Sequence, residues 1–262
     1  MFDSGIGGLT VVKRLMQCLP SEDIVYLGDT GRVPYGSRSK DTIIRYAKQD
    51  AAFLSGFDIK AVVVACNTVC SVAYEELLGF MDIPFFEVVG APAKTAAETT
   101  KNGRIGVIGT AATIRSNAYL QAINAIRPDL EVFSKACPLF VPLVENGITD
   151  ANDIAALSIA ERYLKELSDY KVDTLIMGCT HYPLLKSVIA KVMGQDVMLI
   201  DSGAETAKAV AKSLSESALL SDKKAKGAVK YFVTDSIDGF SALASGYLES
   251  ELSGLVEQVT IE

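Results

Sequence analysis

The sequence is poor in the residues that build disulfide scaffolds and membrane spans. Five cysteines are too sparse for a disulfide scaffold in a chain of 262 residues, and an odd number cannot all pair within it. No apolar run approaches the roughly 20 residues that span a bilayer. The N-terminus lacks the basic and apolar regions of a secretion signal. We therefore expect a soluble protein of the reducing cytoplasm with no membrane partner.

Basic residues and metal ligands are also scarce. Lysine and arginine total 25 against 32 aspartates and glutamates, which gives a formal net charge of −7. Nucleic-acid binding needs clustered basic residues, and the one basic cluster, at residues 223–230, fits a solvated turn. With a single histidine in the chain, Cys66-x-x-x-Cys70 lacks the second ligand pair of a zinc site. We predict neither a nucleic-acid partner nor a metal.

Nucleotide-binding loops are missing as well. There is no Walker A sequence, and Thr10 stands where a dinucleotide fingerprint needs its third glycine. What the chain does contain is a series of short, almost continuously apolar runs separated by stretches with helical spacing. Such runs are typical of strands covered on both faces, so the alternation predicts an α/β fold with mainly parallel sheets. The predicted strands are Ile24–Leu27, Ile59–Ala65, Pro84–Val89, Arg104–Ile108, Val172–Met177, Val197–Ile200 and Val229–Val233, the last a candidate edge strand because Lys230 interrupts it.

An internal echo indicates two related halves. Residues 60–68 and 173–181 both read as an apolar strand, a small residue, a cysteine and a polar pair. A weaker echo links residues 2–5 with 108–111 at a similar offset. Crossing points at 90–92 and 201–203 then divide the chain into a first lobe of residues 1–90 plus 202–262 and a second of 91–201. In open α/β sheets ligands bind beyond the carboxyl ends of the strands, where both echoes place polar residues.

Cys66 and Cys179 are the strongest candidates for chemistry. Each follows an apolar strand and precedes a helix-like stretch, where a helix N-terminus would stabilise a thiolate. Two such groups facing one cleft suit the inversion of a carbon stereocentre, because one removes a proton and the other delivers one to the opposite face. The alternative is that both are buried packing residues. We expect packing for the other cysteines: Cys18 on the apolar side of the first helix, Cys70 and Cys137.

Three further segments are candidates for the same site. His181, two residues after Cys179, would lower the thiol pKa as an imidazolium or take its proton when neutral. The glycine-rich turn at Asp3 and Ser4 would hold a carboxylate with its N–H groups, and Asp3 is either a helix cap or a group that polarises a thiol. Pro34 and Gly36 fix a turn that would bring N–H groups to a substrate, or simply a structural loop.

Together these motifs resemble the cofactor-independent aspartate/glutamate racemase family, and within it the racemases of glutamate. They occur in family order and cover almost the whole chain. The matching segments are Asp3-Ser4-Gly5-x-Gly7-Gly8-Leu9-Thr10, Gly28-Asp29-Thr30 with Pro34-Tyr35-Gly36, Ala65-Cys66-Asn67-Thr68, Gly109-Thr110 and Gly178-Cys179-Thr180-His181-Tyr182-Pro183.

The resemblance implies interconversion of L- and D-glutamate without a cofactor, supplying D-glutamate for peptidoglycan precursors. It also implies a homodimer and two pseudo-symmetric three-layer α/β/α lobes with the site in the cleft between them. By position, Cys66 and Cys179 match the catalytic cysteines, and Asp3 and His181 match residues that assist the thiols. The substrate-binding set that the resemblance implies is Ser4, Pro34, Tyr35, Gly36, Asn67, Thr68, Thr110 and Thr180, with Glu145 near the histidine.

One departure and two alternatives stand beside this interpretation. Family members carry several residues before the Asp-Ser-Gly motif, so the first strand is expected to be nearly absent here and Asp3 less firmly anchored. The substrate could instead be aspartate, a hydantoin or a related acid. A two-lobed amino-acid-binding protein without catalysis is the second alternative.

Overall fold

The computed structural model describes residues 1–252 and 254–261; residues 253 and 262, in the predicted first lobe, lie outside the described residues. Strands and helices alternate throughout. The strands are β1 Phe2–Asp3, β2 Ile24–Gly28, β3 Val62–Val64, β4 Phe85–Glu87, β5 Arg104–Gly109, β6 Glu131–Ala136, β7 Thr174–Gly178, β8 Met198–Asp201, β9 Val229–Val233 and β10 Val256–Gln258. The helices are α1 Leu9–Cys18, α2 Lys40–Leu54, α3 Asn67–Leu77, α4 Gly90–Thr99, α5 Ala111–Ser116, α6 Ala118–Ile126, α7 Phe140–Glu145, α8 Ile154–Asp169, α9 Lys186–Met193, α10 Ser202–Glu216 and α11 Ile237–Leu248, with 3₁₀ turns at Tyr35–Ser37 and Tyr182–Leu185.

The strands form two parallel sheets, which confirms the predicted α/β class. The first sheet has the order β10-β9-β2-β1-β3-β4, and the second has the order β6-β5-β7-β8. Every strand pair in the described residues is parallel. The first sheet takes its strands from both ends of the chain and the second from the middle. The boundaries of the two lobes as folding units stay a prediction.

The internal echo in the sequence corresponds to a repeated strand order. In the first sheet β2-β1-β3-β4 are neighbours, and β6-β5-β7-β8 repeat that order in the second. β1 and β5 are therefore equivalent, as are β3 and β7. Cys66 follows β3 and Cys179 follows β7, so the two thiols stand at equivalent strand ends.

The strands that sequence reasoning misjudged lie toward the sheet edges. β9 is flanked by β10 and β2, so the prediction of an edge strand is wrong. Lys230 is exposed while the other residues of β9 are buried, so the polar residue marks one solvent-facing position rather than an edge. Two of the four edge strands, β6 and β10, were not predicted, because they mix polar with apolar residues, whereas the edges β4 and β8 were predicted.

The N-terminal strand is short but firmly held. β1 has two residues, with Phe2 paired to both Leu27 and Val64 and Asp3 paired to Gly28. The chain then turns through glycines into α1, which packs Leu9 into the core. Asp3 is buried and hydrogen-bonded, in contrast to the expectation that it would be weakly anchored.

Two of the three packing cysteines follow prediction. Cys70 and Cys137 are buried, whereas Cys18 is exposed, so its placement on the apolar side of α1 is wrong. Cys18 is the last residue of its helix, where the helix emerges from the core. No helix in the described part of the chain is long and apolar enough to cross a membrane.

Candidate active site

A cavity of about 440 Å³ lies at the carboxyl ends of both sheets. It is lined by both candidate thiols and by residues from the turns that follow β1, β2, β3, β5 and β7. Of the predicted site residues, Asp3 alone is not on its wall. The predicted residues that line it are Ser4, Pro34, Tyr35, Gly36, Cys66, Asn67, Thr68, Thr110, Glu145, Cys179, Thr180 and His181.

Cys66 lies at the junction between a buried strand and a helix. It is the N-terminal cap residue of α3 and is 5 % exposed. Its Sγ donates to Ser4 Oγ at 3.4 Å. Burial raises the pKa of the Cys66 thiol to about 11, and the charge of Asp3 adds to this. Hydrogen bonds from Ser4 and from the backbone of Val69 act in the opposite direction.

Cys179 occupies the equivalent position in the second sheet. It is 6 % exposed, and its Sγ lies 3.9 Å from Nδ1 of His181. A 3₁₀ turn follows it, and α9 begins only at Lys186. Burial raises the pKa of this thiol above its ordinary range, and a hydrogen bond from the backbone N–H of His181 opposes the rise.

These two environments correct one expectation from the sequence. Helix N-termini were expected to stabilise both thiolates. A helix cap exists only at Cys66, but a backbone N–H lowers the pKa of both thiols, that of Val69 at Cys66 and that of His181 at Cys179. In the substrate-free protein, desolvation outweighs this effect at both thiols. Both cysteines are therefore protonated thiols at neutral pH.

His181 connects Cys179 to a carboxylate. Its Nε2 lies 3.2 Å from Glu145 Oε1, and its Nδ1 faces Thr180 Oγ1 at 3.5 Å as well as the sulfur of Cys179. The ring also packs edge-on against Tyr247. Glu145 thus orients an imidazole that can exchange a proton with the thiol.

Asp3 lies behind the cavity wall. Its Oδ2 accepts hydrogen bonds from the backbone N–H groups of Gly5 and Gly8 at 3.1 and 3.0 Å. Its Oδ1 is buried without a partner. Burial raises the pKa of Asp3, and the nearby charge of His181 opposes the rise. Both expected roles are compatible with this geometry, since one oxygen holds the turn before α1 and the other is free.

Hydroxyl and amide groups join the two sheets across the cavity. Thr68 Oγ1 lies 3.0 Å from Thr110 Oγ1, which links the start of α3 to the end of β5. The side chain of Asn67 accepts from Tyr119 OH at 2.5 Å and donates to Ser202 Oγ at 3.4 Å. Because both its polar atoms are engaged, Asn67 is held rigidly. Tyr119 and Ser202 were not found from the sequence, because neither belongs to a motif.

A buried polar network supports the turn after β2. The hydroxyl of Tyr35 donates to Asp29 and also lies 3.1 Å from an oxygen of Asp50. Arg32 donates to the same two carboxylates at 2.6 and 2.9 Å. Neither carboxylate lines the cavity, whereas Tyr35 and Gly36 do, so the hydroxyl of Tyr35 anchors a turn that forms part of the cavity wall.

Asp50 supports the turn after β2 and was not predicted from the sequence. It is fully buried within α2, on the same helix face as Ile43, Ala47 and Leu54. Burial and the neighbouring Asp29 raise its pKa, and Arg32 lowers it. An acidic residue within the apolar stripe of an amphipathic helix is a signal that could have found it, since buried charges need partners.

Comparison with known proteins assigns the fold and site to a family. Residues 10–210 match the model of the Asp/Glu/Hydantoin racemase family. The chain belongs to this family. The matched segment includes both thiols of the cavity, and members of the family are isomerases.

Individual relatives of this racemase family align over nearly the whole chain. A glutamate racemase of Geobacter metallireducens is 49% identical over 262 residues, covering 100% of this chain and 96% of the relative. The crystal structure of a glutamate racemase isoform from Bacillus anthracis superposes with a TM-score of 0.94 at 38% identity, covering 99% of this chain and 96% of that one. The glutamate racemase of Francisella tularensis, solved in complex with D-glutamate, superposes with a TM-score of 0.91 at 40% identity. The match covers 99% of this chain and 95% of that one.

Proposed function

We propose that the protein is a glutamate racemase that interconverts L- and D-glutamate by a two-base reaction at Cys66 and Cys179. The observation that carries the proposal is the placement of two thiols at equivalent strand ends of two sheets, on the wall of one cavity. The glutamate racemases that align over nearly the whole chain support glutamate as the substrate.

In the proposed reaction the thiolate on one face removes the α-proton of glutamate, and the Cα–H electron pair stays on the substrate as a planar carbanion. The thiol on the other face then gives its proton to that carbon and becomes the thiolate. The protonation states of the two cysteines are exchanged after each turnover. Raised thiol pKa values suit this scheme, because each sulfur is a strong base once it is deprotonated. Ser4 and His181 are the neighbours that assist Cys66 and Cys179.

The substrate carboxylates are proposed to bind the polar groups of the cavity. Thr68, Thr110 and Thr180 offer hydroxyls, and the turn at Tyr35 and Gly36 offers backbone N–H groups. Ser4 and Asn67 complete the set, with Pro34 shaping the turn. No cofactor takes part in the proposed reaction.

The cellular role is proposed on the same basis. A reaction that needs two free thiols fits a reducing cytoplasm, and D-glutamate is the product that peptidoglycan precursors require. The homodimer is an expectation from the family resemblance, and light scattering on the purified protein tests it.

The decisive experiment measures deuterium incorporation and optical activity in the same reaction. In D₂O, L-glutamate should lose optical activity while one deuterium enters the α-position per inversion. Cys66→Ser and Cys179→Ser should each reduce racemisation by roughly a thousandfold, the scale of a lost acid–base group. Cys18→Ser, at the exposed thiol, is the matched control and should retain full activity.

Two results would overturn this proposal. An unaffected rate in either serine variant would rule out the two-base mechanism, and glutamate binding without turnover would indicate a binding protein. Parallel assays with aspartate separate the substrate alternatives.

A further inference from the structure

A second cavity, of about 380 Å³, adjoins the substrate cavity. Arg38, Lys40, Ser71 and Arg115 define it, and we call it the basic pocket. Its wall combines α2 and α3 with α5, which follows β5 of the second sheet. Arg115 lines both cavities and is the one lysine or arginine among the residues that line the substrate cavity.

The basic pocket concentrates positive charge in an acidic protein. Three cationic side chains line it and no carboxylate does, although the formal net charge of the chain is −7. Within residues 1–252 and 254–261, none of the three forms an ion pair, in contrast to Arg32, which is paired with two aspartates. The neighbouring Asp41 lines a separate depression on the other side of α2.

One hydrogen-bond donor in the basic pocket also lacks an acceptor. The hydroxyl of Ser71 is buried and has no hydrogen-bond partner, a condition that costs free energy unless a ligand satisfies it. The N-terminus of α2 opens at the same place, where its cap residue Ser39 accepts from Thr42 N and donates to Thr42 Oγ1. The N–H groups of the first turn of this 15-residue helix favour a negative charge there.

We propose that the basic pocket binds a small anion carrying two or more negative charges on phosphate or carboxylate oxygens, and that this anion weakens the binding of glutamate. Ser71 and the three cations supply the contacts. The coupling has two causes. The bound anion neutralises the charge of Arg115, so Arg115 attracts glutamate less strongly, and the two anions in adjoining cavities repel each other. This second step rests on the proposed function, since it takes glutamate as the occupant of the substrate cavity.

The surrounding chain gives the coupling a short route. The backbone N–H of Arg38 donates to the carbonyl of Tyr35 at 2.9 Å, within the turn that faces substrate. Ser71 lies one helical turn after Thr68, and Ala112 lies two residues after Thr110. An anion in the basic pocket therefore contacts three segments that carry substrate-binding residues.

Binding is tested without turnover, so its failure is distinct from failure of the racemase assignment. Pyrophosphate and citrate are titrated calorimetrically into the free protein at low ionic strength. We expect at least one to bind, with an affinity about tenfold weaker in Arg38→Gln/Lys40→Gln. We expect a loss of roughly fivefold in Ser71→Ala, the scale of one hydrogen bond to a charged group. Lys94→Gln/Arg162→Gln removes the same charge from exposed sites elsewhere and should leave the affinity unchanged.

The coupling has a reciprocal readout. The bound anion should raise the KM for glutamate with kcat unchanged, and saturating glutamate should weaken anion binding by the same factor. Whichever probe binds identifies phosphate or carboxylate as the ligand class. The proposal is overturned if neither probe binds, if the Arg38/Lys40 variant binds as tightly as wild type because the anion occupies the substrate cavity, or if glutamate and anion bind independently.

Discussion

Burial decides the protonation state of the Cys66 thiol in the substrate-free protein. Its pKa is raised to about 11, so the sulfur is protonated at neutral pH and becomes a thiolate only as pH approaches that value. The thiolate is the form that alkylating reagents attack. We therefore expect the rate of Cys66 alkylation by iodoacetamide, followed by peptide mass spectrometry, to rise about tenfold per pH unit between roughly pH 8 and 10.

The other cysteines provide internal references for this measurement. Exposed Cys18 reports reagent access, and buried Cys70, which does not line the cavity, should stay unlabelled while the fold is intact. A Cys66 rate that levels off below pH 9 would show that the helix cap, rather than burial, controls the thiol.

Gly7 is a residue where the site leaves no room for a side chain. A Cβ there would lie 2.6 Å from the ring of His181 and in closer contact with the hydroxyl of Thr180. We expect Gly7→Ala to displace both side chains, lower racemisation at least tenfold and destabilise the fold by about 1–3 kcal/mol, as overpacking does. Assays of turnover and of urea unfolding measure the two effects.

Gly246 provides the matched glycine control. It lies inside α11, and a Cβ there would have no neighbouring atom within 4 Å among the described residues, so alanine should keep activity and stabilise the helix. Equal behaviour of the two alanine variants would contradict the steric argument at Gly7.

Residues that carry chemistry were more predictable than the residues that hold them. Cys66, Cys179 and His181 stand in motifs whose chemistry is readable from side-chain type and spacing. Tyr119 and Ser202 reach Asn67 from positions distant in sequence, 52 and 135 residues away. Nothing local marks such partners, because the tertiary fold alone brings them together.

At the scale of elements, the turn after β2 depends on buried groups beneath it. Tyr35→Phe removes the hydroxyl that bridges Asp29 and Asp50 and leaves Arg32 as their remaining charged partner. We expect a stability loss of about 1–3 kcal/mol for unsatisfied buried acceptors. We also expect a KM increase of several-fold with a smaller change in kcat, because we propose that the backbone of this turn binds the substrate.

Tyr46 supplies the comparison for this variant. Its ring packs against Tyr35 and beneath Arg32, so Tyr46→Phe keeps the packing and should leave KM unchanged. If Tyr35→Phe altered stability but not KM, the network would be structural only.

Strands were predictable in proportion to their apolar content. β3 and β7 are completely buried and appeared as apolar runs, and the less buried edges β4 and β8 did so as well. β6 and β10 mix polar with apolar residues, so their sequences carry no clear strand pattern. Such an edge strand forms because it pairs with the neighbouring strand, and its own residues do not indicate a strand.

For the whole molecule, the sequence echo predicted a two-sheet arrangement, and the shared strand order explains why the echo exists. The contacts between the halves were not predictable. Thr68 forms a hydrogen bond with Thr110, and Arg14 of α1 donates to Asp201 at the end of β8 at 3.0 Å. No sequence motif contains both members of either pair. A substrate held by residues from both sheets should therefore stabilise the molecule as one unit.

The Cys66→Ser/Cys179→Ser variant tests this, because we expect it to bind L- and D-glutamate without interconverting them. Glutamate at about 100 times Kd should add roughly 2.7 kcal/mol of stability and raise the Tm of a single transition by about 5 °C. Thr68→Ala/Thr110→Ala should lose most of this shift, while aspartate, being shorter, should produce less of it. A shift confined to one of two separate transitions would mean that only one sheet binds the substrate, and the two-sided geometry required for inversion would then fail.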